Sequence, residues 1–353
     1  MSAAPETRRA PSSALTSFVV ASRYMPVYIA IALLVVVAAI WAPAALRTPS
    51  LRAIAPFGTF LAIAALGQML VIMTGGIDLS VPGTVTLAAV LVVGVGDAND
   101  ERIWTAIGVA LLAVAVVGLV NGVLIGGLGL NALIVTLAVG QIVNGFAFRY
   151  YTGVAIQTPV SARLSEWTST RFLGVSRTFW VGVALTIVLI VIFRFTTPGR
   201  RFQVVGANPI ASWIAGLRVN LNQVAAYVVA ALFYGVAAIL LAAFLKTPST
   251  SLGVPYLLGP IAAVVIGGAS LTGGLASPFS TWAGAFFLAG LNQMMRVMGL
   301  STALQFVVFG LVIVGGMLVS GDRIIRGVEQ VLRERGRRDP VEAGAAGTTR
   351  GGT

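Results

Sequence analysis

The chain has 353 residues, of which 58% are hydrophobic and only 10% are charged, and its formal net charge is +12. Because a soluble domain carries about 25% charged residues, this composition indicates an integral membrane protein. The sequence contains no histidine and no cysteine, which excludes thiolate chemistry and removes the commonest general base and metal ligand. We therefore expect neither an enzyme nor a metal site. The basic residues lie mostly in tails and short loops, which is typical of membrane topology and not of nucleic-acid binding.

Apolar segments follow one another along most of the chain. A helix needs roughly 20 apolar residues to cross a bilayer, and by that measure the sequence predicts an all-α polytopic membrane protein with about ten transmembrane helices. The third and the eighth segments are short, and each adjoins a glycine-rich helix break. The predicted segments are 25–46, 53–73, 79–96, 103–124, 131–151, 178–196, 222–245, 257–270, 279–298 and 303–320.

The distribution of charge predicts the orientation. More than half of the 23 basic residues lie in 1–24, 197–221 and 323–353, whereas the short loop 97–102 is net acidic. Because arginine and lysine concentrate on the cytoplasmic side of membrane proteins, both termini and the 197–221 loop are predicted to be cytoplasmic. We expect a cytoplasmic N-terminal tail at 1–24, a transmembrane domain at 25–322 and a basic, disordered cytoplasmic tail at 323–353.

The first break interrupts the apolar sequence with Thr74-Gly-Gly-Ile-Asp-Leu-Ser-Val-Pro-Gly83. A broken backbone in hydrocarbon needs its polar groups satisfied by protein or water, so the segment indicates a cavity, a pathway or a turn at the membrane surface. Asp78 has two possible roles, a carboxylate on the transport pathway or, together with Ser80, a cap at the start of the third span. We favour the cap. Of the three glycines in this break, Gly75 and Gly76 are, with Asp78 and Ser80, our candidates for a position near the translocation path.

A second break resembles the first. Val71–Ser80 can be aligned with Val264–Thr272, and each segment ends one span and precedes another. Interrupted helices in corresponding positions are typical of transport proteins. The glycines of the second break are Gly267, Gly268, Gly273 and Gly274.

The 197–221 loop contains a pattern that predicts a short amphipathic helix. Asn208 followed by Pro209 is typical of a helix start, and four apolar residues follow at the spacing of one helix face. Such a helix either rests on the bilayer surface or places its apolar face in the groove of a cytosolic partner. The residues themselves favour neither role over the other. The apolar residues are Ile210, Trp213, Ile214 and Leu217.

Uncharged amides are the main polar residues within the predicted spans. They suit a neutral polar substrate, but they also form hydrogen bonds between membrane helices, and for any single amide we favour the helix–helix role. Three of them, Gln68, Asn144 and Asn292, are our candidates for a substrate path. The others are Asn121, Gln141, Gln293 and Gln305.

Three motifs, in this order along the chain, carry a resemblance to a known family. They are Gly67-Gln-Met-Leu-Val-Ile-Met-Thr-Gly-Gly-Ile-Asp-Leu-Ser80, Gly206-Ala-Asn-Pro-Ile-Ala-Ser-Trp-Ile-Ala-Gly-Leu217 and Val265-Ile-Gly-Gly-Ala-Ser-Leu-Thr-Gly-Gly274. From about residue 50 to 320 the chain resembles the inner-membrane permeases of ribose-type ABC sugar importers. Pro82 and Pro209 depart from the pattern of that family.

The resemblance implies a permease subunit that moves a monosaccharide, either a ribose-like pentose or a hexose, across the bacterial inner membrane by alternating access. It also implies three protein partners: a second permease copy in a homodimer or heterodimer, a cytosolic ATP-binding cassette subunit and an extracytoplasmic sugar-binding protein. Membrane lipid surrounds the permease. The second motif, with Gly206, would then dock the ATPase.

ATP and Mg are expected in the partner ATPase, because this chain has no Gly-x-x-x-x-Gly-Lys-Ser/Thr phosphate loop and carries no expected cofactor. Two alternatives remain. A permease of the same type can carry another small polar cargo, such as a nucleoside or a branched-chain amino acid. An ion-coupled secondary transporter is less favoured, since Asp78 is the only carboxylate available for coupling within the spans.

Overall fold

The computed structural model describes residues 13–155 and 159–320, and within them the fold is almost entirely helical. One two-stranded antiparallel hairpin, β1 (Arg171–Phe172) and β2 (Val175–Ser176), is the exception in this part of the chain. The helices are α1 (Ser13–Trp41), α2 (Thr48–Met73), α3 (Val81–Gly96), α4 (Ile103–Gly122), α5 (Ala132–Tyr150), α6 (Ala162–Ser169), α7 (Arg177–Phe195), α8 (Thr197–Ala207), α9 (Pro209–Ile214), α10 (Val219–Leu245), α11 (Gly259–Ile266), α12 (Pro278–Val297) and α13 (Thr302–Ser320).

The prediction of an all-α polytopic membrane protein is confirmed. Among the described residues, six helices are long and apolar enough to cross a membrane: α1, α2, α4, α5, α7 and α10. Three shorter apolar helical stretches are α3, the stretch Val254–Ile266 that includes α11, and the stretch Ala303–Gly316 within α13. Together with the 20-residue α12, these helices correspond one by one to the predicted segments.

Several predicted boundaries are corrected. Helix α1 begins at Ser13, inside the segment predicted as a tail, and ends at Trp41, before a separate 3-10 turn at Pro43–Leu46. Helix α11 ends at Ile266, so the rest of the predicted eighth span belongs to the second break. The C-terminal tail predicted at 323–353 lies outside the described residues.

Helix α2 lies at the centre of the bundle. In the most apolar 18-residue stretch of α2, 89% of the residues are buried, whereas in the corresponding stretch of α1 only 11% are buried. It contacts α7, α10, α11 and α12, and a helix that is surrounded in this way needs apolar residues on every side. The core therefore forms around α2, and α1 packs at the periphery against α12.

A stripe of glycines on α4 brings it close to α10. A methyl group at Gly118 would lie 2.6 Å from the carbonyl oxygen of Tyr227, and one at Gly122 would lie 2.8 Å from the Cα of Val224. Gly126 continues the same four-residue spacing and is equally close to α10. Small residues at this spacing allow membrane helices to pack with their backbones almost in contact.

The bundle has two different ends. The break end carries both helix breaks and the 196–218 segment with α8 and α9. The opposite end carries the 97–102 loop, α6 and the hairpin, and it is tied together by hydrogen bonds. The Ser161 hydroxyl donates to the Asp100 carboxylate, and the Val160 amide donates to the Lys246 carbonyl at 2.8 Å.

Candidate functional site

The first break begins with a defined helix terminus. The Gly75 N–H donates to the Ile72 carbonyl at 2.9 Å, and the Gly76 N–H donates to the Val71 carbonyl at 3.2 Å. This pair of bonds is the Schellman arrangement, which requires a left-handed residue just after the helix. Gly75 has a φ of +81° and supplies that conformation without the steric cost of a side chain.

The second break has the same geometry at the aligned positions. The Gly268 N–H donates to the Val265 carbonyl at 2.9 Å, and the Ala269 N–H donates to the Val264 carbonyl at 3.2 Å. Gly268 has a φ of +82° and occupies the same position as its counterpart Gly75. The short sequence match between the breaks thus corresponds to a repeated helix ending.

Neighbouring helices satisfy the backbone of the first break. With its amide oriented to suit its neighbours, Gln68 of α2 accepts a hydrogen bond from the Asp78 N–H at 3.1 Å. The Leu79 N–H donates to the Thr136 hydroxyl of α5 at 2.9 Å, and the Ser80 N–H donates to the Asp78 carboxylate at 2.8 Å. Three consecutive N–H groups of the break are therefore paired with protein groups, as a membrane interior requires.

Asp78 is buried, with 1% of its surface exposed. Its carboxylate also accepts the Ser80 hydroxyl at 2.6 Å, and that hydroxyl accepts a hydrogen bond from the Asn121 amide at 2.9 Å. No ion pair of Asp78 occurs within residues 13–155 and 159–320. These bonds close a tight turn just before α3, whose N-cap residue Ser80 makes no side-chain cap hydrogen bond, and the choice between the cap and the pathway role stays a prediction.

The three amides predicted for a substrate path lie in three different places. Gln68 is fully buried and lies 2.9 Å from the Tyr234 hydroxyl, beside the first break. Asn144 is exposed on α5. Asn292 lines a cavity of about 380 Å³ toward the opposite end of the bundle. The structure therefore does not bring these amides together in one protomer.

The second break and the end of α8 meet the first break at a single point. The Gly274 N–H donates to the Met73 carbonyl at 2.9 Å. A methyl group at Gly273 would lie 2.7 Å from the Gly206 carbonyl oxygen, and one at Gly206 would overlap the Met73 carbonyl. We call this meeting point of Met73, Gly206, Gly273 and Gly274 the glycine junction. Three separate backbones touch here without side chains between them.

The amphipathic helix follows the glycine junction directly. The predicted cap is present, because the Asn208 side chain accepts a hydrogen bond from the Ala211 N–H at 2.9 Å, and Pro209 is the first residue of α9. Three of the predicted apolar residues are uncovered by this chain, whereas Leu217 is partly buried. The uncovered residues are Ile210 (74% exposed), Trp213 (72%) and Ile214 (73%).

Helix α8 lies between the membrane bundle and α9, within the segment 197–221 that the sequence predicts to be a cytoplasmic loop. Its start is capped by the Thr196 hydroxyl, which accepts a hydrogen bond from the Gly199 N–H at 3.2 Å. The ring of Phe202 stacks on that of Phe193 of α7, with centroids 5.9 Å apart. Only Asn208 separates α8 from α9, so the exposed apolar face is held close to the glycine junction.

Comparison with known proteins gives both a family and individual relatives. Residues 50–317 match a family model described as branched-chain amino acid transport system / permease component. The chain is 33% identical over 254 residues to an L-arabinose ABC transporter permease of Azospirillum brasilense, covering 71% of this chain and 74% of that protein.

Two further relatives are similarly distant. A ribose import permease of Escherichia coli strain K12 is 32% identical over 268 residues, which is 74% of this chain and 82% of the relative. A galactose/methyl galactoside import permease of Haemophilus influenzae is 32% identical, with 71% of this chain and 80% of the relative covered. No solved structure matches the chain significantly.

Proposed function

The chain belongs to the family of branched-chain amino acid transport system permease components, and from that premise we propose that it is the membrane subunit of an ATP-driven monosaccharide importer. The family description mentions amino acids, but the relatives compared above are named as permeases for L-arabinose, ribose and galactose. Sugar is therefore the favoured cargo. A nucleoside or a branched-chain amino acid is the alternative for the same machinery.

The glycine junction is the observation that carries this proposal. It joins an exposed apolar helix directly to both interrupted membrane helices, because Gly206 touches Met73 of the first break and Gly273 of the second. The sequence has no phosphate loop of its own. A cytosolic ATPase subunit with bound ATP and Mg therefore supplies the energy, and α9 is the part of this chain that it contacts.

Force applied to α9 reaches the membrane helices through short, stiff connections. An aromatic and two aliphatic side chains, Trp213, Ile210 and Ile214, provide an apolar face for the groove of a partner. Because the contacts at the glycine junction are between backbones, no rotamer change can absorb a displacement of α8. Displacing Gly206 therefore shifts the ends of α2 and the second break together, and two-state rigid-body movement of helices gives alternating access.

This function places the break end in the cytoplasm and the opposite end outside the cell. The ordered α6 and hairpin then form the surface that receives an extracytoplasmic sugar-binding protein. Beside them is a cavity of about 390 Å³ that Arg52 of α2 and Arg171 of β1 both line. Two arginines from separate elements favour a partner surface with acidic side chains, since such pairs orient and accelerate association.

A second permease copy accounts for the exposed surface of α5. Gln141 and Asn144 lie on this membrane helix and are exposed in the single chain. Amides have no hydrogen-bond partners among lipid tails, and polar groups at membrane depth face protein or a water-filled path. We therefore place this surface of α5 at a homodimer or heterodimer interface, where Asn144 faces the sugar path.

The experiment is uptake by the purified proteins in liposomes. The chain is reconstituted with the ATPase subunit and the binding protein of the proposed importer, and ATP-dependent accumulation of radiolabelled ribose, L-arabinose and galactose is measured. We expect accumulation of one sugar by the complete assembly and none by the chain alone. Accumulation by the lone chain under a proton or sodium gradient would show a secondary transporter, and uptake of leucine or a nucleoside alone would refute the sugar assignment.

A further inference from the structure

A cavity of about 380 Å³ lies within one protomer, far from the glycine junction. It is bounded by α2, α10, α12, α13 and the 249–259 segment, toward the opposite end of the bundle. Its volume is within the range of about 300–1,000 Å³ that is typical of small-molecule sites. Most of its wall is apolar, and a few polar side chains also line it.

Several of the polar lining residues come from the last turns of α12. Asn292, Gln293 and Arg296 all line the cavity, and they are joined by Ser249 and Ser251 from the connection after α10. The side-chain oxygen of Asn292 is buried and has no hydrogen-bond partner within residues 13–155 and 159–320. A buried acceptor without a donor is unfavourable, and rotation of the Asn292 amide turns this oxygen toward the cavity, where a ligand hydroxyl can donate to it.

Aromatic rings form part of the remaining wall. Phe57 of α2 lines the cavity, and the Arg296 guanidinium lies over its ring with its carbon 6.0 Å from the centroid. Tyr256 contributes a second ring, which is 8% exposed. Aromatic faces carry negative charge density and attract the weakly positive C–H face of a sugar ring, while amides bind its hydroxyl groups.

The charges of the wall discriminate between cargoes. No acidic side chain lines the cavity among the residues that the structure describes, so the ammonium group of an amino acid would have no counter-charge. A neutral polyol needs none. We infer that this cavity is a transient, low-affinity site for a monosaccharide within each permease subunit, on its extracytoplasmic side. This inference rests on the proposed function, which supplies the sugar and the orientation.

The test is direct sugar binding to the assembled permease–ATPase complex in nanodiscs, without the binding protein. Radiolabelled ribose, L-arabinose and galactose are the probes, and scintillation proximity gives the Kd. Ala289→Trp fills the cavity, since Ala289 lines it. Ala283→Trp is the matched control, because Ala283 lies on the same helix but lines a separate apolar groove between α7 and α12.

We expect saturable binding of the transported sugar by the unmodified complex, a Kd raised at least about tenfold by Ala289→Trp, and an unchanged Kd in Ala283→Trp. Asn292→Leu should weaken binding similarly, and Asn292→Gln should restore part of it. Co-purification of the ATPase and a single size-exclusion peak verify that each variant is folded. If Ala289→Trp does not fold, the Kd of Asn292→Leu is compared with that of the unmodified complex instead.

The outcomes separate this inference from the proposed function. If the unmodified assembly accumulates sugar in liposomes but shows no saturable binding, or if its Kd is the same in the folded cavity variants, the cavity is not a sugar site and the importer proposal stands. If the unmodified assembly accumulates no sugar at all, the proposed function itself is wrong. Binding of leucine in competition with the sugar would also overturn the assignment of the cavity to a neutral polyol.

Discussion

Replacing Gly273 with alanine tests whether the contacts at the glycine junction transmit movement. Gly273 has a φ of +99°, a conformation that costs a residue with a side chain about 1–3 kcal/mol. The new methyl group would lie 2.7 Å from the Gly206 carbonyl oxygen and 3.1 Å from that of Met73. Carbon and oxygen atoms normally approach to about 3.3–3.6 Å, so the segments must separate by at least ~0.6 Å.

The two costs of Gly273→Ala add to a sizeable destabilisation. Overpacking of a close contact costs about 1–3 kcal/mol, so with the backbone strain we expect roughly 2–6 kcal/mol. Gly299→Ala is the matched control. Gly299 also has a positive φ, +69°, but no atom lies within 4 Å of its added methyl group. This control therefore carries the backbone strain alone.

The assay compares both variants in the reconstituted importer. Thermal unfolding of the purified complex gives the loss of stability, and sugar uptake per folded complex gives the coupling. We expect Gly273→Ala to unfold at a lower temperature than Gly299→Ala and to lose uptake while the ATPase remains bound. Equal uptake per folded complex in the two variants would refute the transmission of movement through the glycine junction.

Three further substitutions, one of them with a control variant, test neighbouring parts of the site. Trp213→Glu places a charge on the exposed face of α9 and should abolish co-purification of the ATPase without changing the amount of chain in the membrane; unchanged co-purification would exclude the docking role. Thr136→Val leaves the Leu79 N–H without its acceptor and should cost about 1–3 kcal/mol in thermal unfolding. Thr186→Val removes only a bond within its own helix and should cost less. Asp78→Asn should mainly lower the folded yield if Asp78 is a cap, whereas normal yield with lost transport would assign it to the pathway.

The helix breaks could be predicted because their signals are local. Gly75 and Gly268 each follow an apolar run, and a left-handed glycine after a helix is a common ending. The cap of α9 is also local, since Asn208 and Pro209 are adjacent. Helix α8 lies in a segment predicted as loop, although the sequence does contain a helix signal there. Thr196 with Pro198 two residues later is a typical helix start, but the basic residues that follow look like loop.

The glycine junction could not be predicted from one sequence. Gly206 and Met73 are far apart along the chain. Nothing in the sequence around either residue indicates that the two are in contact in the folded protein. Thr136 is another example, because nothing in the sequence of α5 shows that its hydroxyl supports the Leu79 N–H. Long-range backbone contacts depend on the packing of whole helices, and a periodic pattern specifies only which face of a helix is buried.

The two proposed sites are connected by helices that they share. Helix α2 carries Phe57 at the cavity and Met73 at the glycine junction, which are about 24 Å apart along the helix at a rise of 1.5 Å per residue. Helix α12 begins just after the second break and carries Asn292 about 21 Å further on. A rigid helix of this length that tilts by about 10° moves its far end by about 4 Å. If the ATPase displaces Gly206 as proposed, the width of the cavity changes with it, and ATP binding at the cytoplasmic end is then coupled to the passage of sugar out of the cavity into the transport path.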